Sequence, residues 1–128
     1  MRGMADTRCV RKVLVVDDSG IVARQLSRIL EDSGRYQVVG HALDGFAAIR
    51  QFKEANPDIV CLDVVMPNLD GIQALRLIKQ VRADATVVVI SSVGGVADKV
   101  EECLRAGAAS VLTKPFDAAK VLEVLDGV

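Results

Sequence analysis

Short, unbroken apolar runs alternate along this chain with longer stretches in which apolar residues recur every three or four positions. The runs are KVLVVD (12 to 17), YQVVGHA (36 to 42), DIVCLD (58 to 63), TVVVIS (86 to 91) and SVLT (110 to 113), all rich in β-branched residues. A strand with one wet face alternates apolar and polar residues, so runs that are apolar at nearly every position predict strands covered on both faces. The intervening stretches place Ile21, Val22, Leu26, Ile29 and Leu30, then Phe46, Ile49 and Phe52, then Ile72, Leu75, Ile78 and Val81 at helical spacing. Val96, Val100 and Leu104, and then Val121, Leu122 and Leu125, complete five such stripes. Strand and helix thus alternate five times, which predicts an α/β fold: a doubly wound parallel sheet of five strands with helices on both faces. Ser33-Gly34, Asn56-Pro57, Pro67-Asn68 with Asp70-Gly71, Gly94-Gly95 and Gly107 supply turns where the alternation needs them.

In such a sheet, ligands bind beyond the carboxyl ends of the strands, near the point where strand order reverses. That rule converts positions into a site. Asp17 and Asp18 end the first run, Asp63 the third and Ser91 the fourth, and Lys114 follows the fifth. Carboxylates brought together in partly dry surroundings repel one another, and a divalent cation among them removes the conflict. Oxygen ligands without histidine or thiolate favour Mg²⁺, which keeps several waters and binds through one or two carboxylates plus a phosphate oxygen. A lysine opposite the cation and a serine hydroxyl able to donate to an anion complete a phosphoryl-transfer site with an aspartate nucleophile.

Composition narrows the setting. A chain of 128 residues, 51% of them hydrophobic, suits one compact domain. The net charge of −1 offers no electrostatic reason to expect nucleic acid or an anionic membrane as a partner. No apolar run approaches the roughly 18 residues of a membrane span, and the first residues lack a signal-peptide centre, so a cytoplasmic location is expected. Cys9, Cys61 and Cys103 are widely spaced and odd in number, which reads as reduced thiols, with Cys61 in the core. His41 has no second ligand near it in sequence and reads as structural or solvated.

The motifs DD (17 to 18), LDVVMPNLDG (62 to 71), VISS (89 to 92) and TKPF (113 to 116) together resemble the receiver domains of two-component response regulators, with a pattern nearest to the single-domain chemotaxis members. The likeness covers about residues 12 to 126, leaving residues 1–11 as an N-terminal extension and 12–128 as the receiver domain. It implies the strand order 2-1-3-4-5 and a phosphorylation switch rather than an enzyme. Asp63 would accept a phosphoryl group from a histidine kinase. Asp18, Asp63 and the backbone carbonyl of Val65 would ligate Mg²⁺, with Asp17 acting through water. Lys114 would pair with the phosphoryl group, Ser91 would sense it, and the Lys114-Pro115 bond would be cis. The output would be binding of a downstream target protein in chemotaxis or motility, such as a component of the flagellar motor, by a monomer.

Other readings stand beside these. Ser91 and Ser92 can both be caps of the next helix; Ser91 takes the sensing role here, and Ser92 fits either. The position three before Lys114 is Val111, where chemotaxis members usually carry an aromatic ring, so the loop from Ser92 to Val96, with Gly94 and Gly95, is expected to move instead. Val65 stands where a polar residue is common. The chain also fits the input domain of a longer methylesterase or transcriptional regulator. A Mg²⁺-dependent phosphatase of the haloacid dehalogenase type would need an acid two residues after its nucleophile, whereas Asp17 and Asp18 are adjacent. A dinucleotide-binding domain would need GxGxxG after the first strand, which is missing.

Overall fold

The computed structural model describes residues 10–64, 70–92 and 97–128. In chain order the elements are β1 (Arg11–Val16), α1 (Gly20–Asp32), β2 (Tyr36–Ala42), α2 (Gly45–Ala55), β3 (Ile59–Asp63), α3 (Gly71–Val81), β4 (Thr86–Ser92), α4 (Ala97–Arg105), β5 (Ser110–Lys114) and α5 (Ala118–Asp126). The strands form one five-stranded sheet in the order β2-β1-β3-β4-β5, with parallel pairing throughout. No helix among the described residues is long and apolar enough to cross a membrane.

Because both faces of each central strand are covered, odd and even positions enter different cores. Leu14, Val16, Val60, Leu62, Val87 and Val89 pack with Ala48 and Phe52 of α2, Leu75 and Ile78 of α3, and Cys103 of α4. Val13, Val15, Ile59, Cys61, Val88, Ile90 and Leu112 pack on the other face with Leu26 and Leu30 of α1 and Val121 and Leu125 of α5. Two helices thus cover one face and three the other. The order reverses between β1 and β3, which places the carboxyl ends of those two strands at the switch point.

The helical stripes differ from the sequence reading at particular positions. Ile21 is 75% exposed and Phe46 is 63% exposed, while Ala23 and Ala48 are buried beside them. On α4 the buried residue is Cys103, and Leu104 is exposed, because one residue along a helix is about 100° around its axis. Val81 also lies outside the core. Small residues hold the inward positions where helix and sheet approach closely, and size alone does not report that. Cys61 is fully buried as expected. Cys9, Val96 and the Gly94-Gly95 and Pro67-Asn68 turns fall outside the described residues.

β2 pairs with β1 out of simple step. Val13 stands opposite Val38, but Leu14 stands opposite Gly40, so one extra residue is accommodated in β2 and His41 faces Val15.

Candidate functional site

The acidic pair is built by the way β1 ends. Asp17 follows the last strand residue, and its N–H donates to Ala42 O at 3.1 Å, continuing the β2 ladder by one step. Its Oδ1 then accepts from Ser19 N at 2.9 Å, a local bond that turns the chain. Ser19 in turn caps α1, its Oγ accepting from Val22 N at 3.3 Å. The turn leaves Asp17 fully buried and Asp18 exposed.

Asp63 is the last residue of β3 and only 7% exposed. The chain beyond it is held to β4 by Val64 N donating to Ile90 O at 3.0 Å, and Gly71 N closes the loop on Val64 O at 3.1 Å. Lys114 ends β5, and its bond to Pro115 is cis, as the resemblance implies. Its Nζ lies 3.2 Å from Asp17 Oδ2 and 3.5 Å from Asp63 Oδ2. Burial pulls the Lys114 pKa down, but the carboxylates of Asp63 and Asp17 outweigh it, and the net shift is upward. The ammonium is therefore held charged.

Asp17, Asp18 and Asp63 each bring a carboxylate oxygen to within 4.8 Å of the others. Asp17 Oδ2 is buried without a hydrogen-bond partner, although the Lys114 ammonium is near it in ion-pair distance. One ammonium against three carboxylates leaves excess negative charge at a partly dry sheet edge, and a buried acceptor that lacks a donor is where a hard cation or its water is stabilised. The donor set fits Mg²⁺. Val65, the remaining expected ligand, lies outside the described residues.

The two serines of β4 go to opposite sides. Ile90 belongs to the core under α1 and α5, so strand alternation puts Ser92 on that side and Ser91 on the other. The ladder pairs Ser92 with Lys114 and Ser91 with Thr113. Asp63 follows Ile59 and Cys61 in the same alternation, so Asp63, Lys114 and Ser92 share one side. Ser92 is exposed and lines a cleft of about 420 Å³ with Val22, Gln25, Lys114, Pro115 and Phe116. Ser91 is 7% exposed, and its Oγ donates to Ser92 O at 3.4 Å. The sequence reading gives the sensing role to Ser91, whereas strand alternation and the pairing with Lys114 put Ser92 on the side of Asp63. His41 also stands at the site, with Nε2 2.9 Å from Asp17 O. Nothing local in the sequence signals that contact, because it depends on the β1–β2 register.

A family model described as the response regulator receiver domain matches residues 13–126. The chemotaxis protein CheY of Bacillus subtilis is 37% identical over 115 residues, covering 90% of this chain and 94% of that protein. Among solved structures, CheY of Borrelia burgdorferi in a CheX-CheY-BeF3-Mg²⁺ complex aligns with a TM-score of 0.85 and 35% identity, covering 95% of this chain and 96% of that one. The response regulator domain of Thermotoga maritima CheB aligns with a TM-score of 0.79 and 37% identity, covering 92% of each chain.

Proposed function

Because the chain belongs to the response regulator receiver domain family, we propose that a phosphoryl group carried on Asp63 switches its affinity for a partner protein. It is CheY-like, and the output in view is chemotaxis or motility. The donor is a histidine kinase, which places the exchange in the cytoplasm. A carboxylate oxygen of Asp63 attacks the phosphorus of a phosphohistidine. The P–O bond forms as the P–N bond breaks, the histidine leaves with a proton taken from water, and Asp63 retains an acyl phosphate.

Asp18, Asp63 and the Val65 carbonyl would hold Mg²⁺, with Asp17 acting through water. When bound, the ion supplies the positive charge that lets a dianionic phosphoryl group approach three carboxylates. Lys114, poised 3.5 Å from Asp63 Oδ2, pairs with the incoming phosphoryl oxygens. We assign the phosphoryl-facing hydroxyl to Ser92 rather than Ser91, on the support of the strand alternation and its pairing with Lys114.

The observation that carries this reading is Asp63 at the end of β3, with the Lys114 ammonium and two further carboxylates around it. The wild-type chain, incubated with a small acyl phosphate and Mg²⁺, should gain the mass of one phosphoryl group. Asp63→Asn should gain none, because an amide is not a nucleophile here. Labelling of the Asn variant at another acid would overturn the assignment.

The identity to the CheB regulator domain favours a second reading, in which this receiver controls an attached methylesterase or another effector domain. An open reading frame that continues past Val128 into such a domain would select it.

A further inference from the structure

We infer that His41 is a positioning residue for the cation site, fixing the Asp17–Asp18 peptide through an imidazole N–H while Gln51 braces the histidine from behind. The inference rests on the Mg²⁺ reading of the acidic cluster and names a residue outside it.

The contact has only one possible polarity. Asp17 O is a carbonyl and can only accept, so His41 Nε2, 2.9 Å away, carries the proton. Asp17 N donates to Ala42 O at 3.1 Å. Both main-chain polar groups of Asp17 are therefore tied to the last two residues of β2, one by the backbone and one by a side chain. The carbonyl of Asp17 and the N–H of Asp18 belong to one planar peptide, so fixing the carbonyl fixes the position of the Asp18 Cα and the axis of its N–Cα bond, and leaves only rotation about that bond and the side-chain torsions to place the Asp18 carboxylate. Asp18 needs such an anchor more than Asp17 does. Asp17 is buried and held by Ser19 N, whereas Asp18 is exposed.

The surroundings of His41 support this role. The extra residue in β2 puts His41 opposite Val15, whose side chain enters the core beneath α1, on the same side as Asp17 two residues later. Without that residue His41 would stand opposite Val16 and point to the other face. Gln51 on α2 donates through Nε2 to His41 O at 3.2 Å. It reaches there across Gly40, where a Cβ would lie 2.6 Å from Gln51 Oε1. Gly40, His41 and Gln51 thus form one unit that connects α2 to the acidic turn.

The test is calorimetric titration of Mg²⁺ into the full chain, with thermal unfolding of the metal-free proteins alongside. His41→Leu should bind Mg²⁺ about tenfold more weakly than wild type, the scale of an outer-shell loss. His41→Gln, which restores an N–H at similar reach, should return to within about threefold of wild type. Gln51→Leu, which leaves His41 in place, should weaken binding by a smaller factor. A merely structural histidine would lower the unfolding temperature of His41→Leu and leave its Mg²⁺ affinity unchanged, and that result would overturn the inference. Equal weakening in His41→Gln and His41→Leu would overturn it too, by showing that shape rather than the donor matters. Should His41→Leu fail to fold, Gln51→Leu decides: unchanged affinity rejects the brace. A wild-type chain that binds no Mg²⁺ removes the cation site itself and this inference with it, an outcome distinct from wild-type binding that the variants do not disturb.

Discussion

Ser91 and Ser92 are chemically identical neighbours, and strand geometry gives them different surroundings. Ser91 faces the core side beneath α2–α4 with its hydroxyl turned to a backbone carbonyl, whereas Ser92 stands across from Lys114 in an open cleft. A hydroxyl that donates to a charged phosphoryl oxygen contributes about 1.5–3 kcal/mol, and a long neutral bond like that of Ser91 much less. Ser92→Ala should therefore weaken Mg²⁺-dependent binding of beryllofluoride, a phosphoryl mimic, by about tenfold or more. Ser91→Ala should leave it within about twofold, since it loses only the weak bond to Ser92 O. Titration of both variants checks the assignment, and the reverse ranking would restore the role to Ser91. Val111 is partly buried against the core under α2–α4 and has no ring to rotate. Of the loop expected to move in its place, Ser92 to Val96, residues 93–96 lie outside the described residues.

At the scale of elements, the start of α3 decides how the chain leaves Asp63. Asp70 caps this helix, accepting from Gln73 N at 3.0 Å, while Gln73 Oε1 accepts from Asp70 N at 3.4 Å. The next residue, Gly71, sits against the end of β3, where an added Cβ would lie 2.4 Å from Asp63 O and 2.7 Å from Val64 Cα. Those are backbone atoms that no rotamer change can clear. Gly71→Ala should cost roughly 2 kcal/mol in urea unfolding, typical of overpacking, and should slow phosphorylation from a small donor because the Asp63 peptide is displaced. Unchanged stability with unchanged rate would show that the helix shifts freely. The turn signal Asp70-Gly71 was visible in the sequence, but its steric reason was not, since it lies in an approach between two elements.

The whole molecule divides its labour between the two ends of the sheet. The carboxyl end gathers two buried carboxylates and an exposed one that repel, while ties that hold the fold cluster at the other end. Arg11 Nη1 donates to Val128 O at 2.8 Å, Arg35 pairs with Asp126 at 2.8 Å, and the Tyr36 hydroxyl donates to the same carboxylate. On the other face of the sheet, Arg82 donates to Pro57 O at 2.6 Å and lies 4.9 Å from the centre of the Phe52 ring. Burial, and then the bond to Asp126, push the Tyr36 pKa up to about 12 from 10.0. A folded-state pKa above the unfolded one means that this contribution is complete below pH 10.0 and is lost as pH rises towards about 12. Wild type should thus lose more stability over that interval than Tyr36→Phe, whose remaining slope belongs to groups such as Lys114. Tyr36→Phe should itself cost about 1 kcal/mol at neutral pH and leave Asp63 phosphorylation unchanged, since the sites lie at opposite ends of the strands. Parallel urea titrations across pH measure the first effect and intact mass the second.

Much of this was written in local pattern. Unbroken β-branched runs and helical stripes determine the alternation of elements, since the periods of strand and helix differ and burial on both faces leaves no polar positions to blur them. The same pattern brings Asp17, Asp18, Asp63 and Lys114 to strand ends, because a parallel sheet must place all its carboxyl ends together. What required the tertiary structure is every feature that depends on the spacing between elements. The extra residue in β2 turns His41 toward Asp17, the β4–β5 register sets Ser92 beside Lys114, and close approach makes Ala48 and Cys103 core while Phe46 and Leu104 face water. Periodicity determines which residues can share a face, but one residue of register reverses which face that is, and register is settled only when neighbouring elements pack.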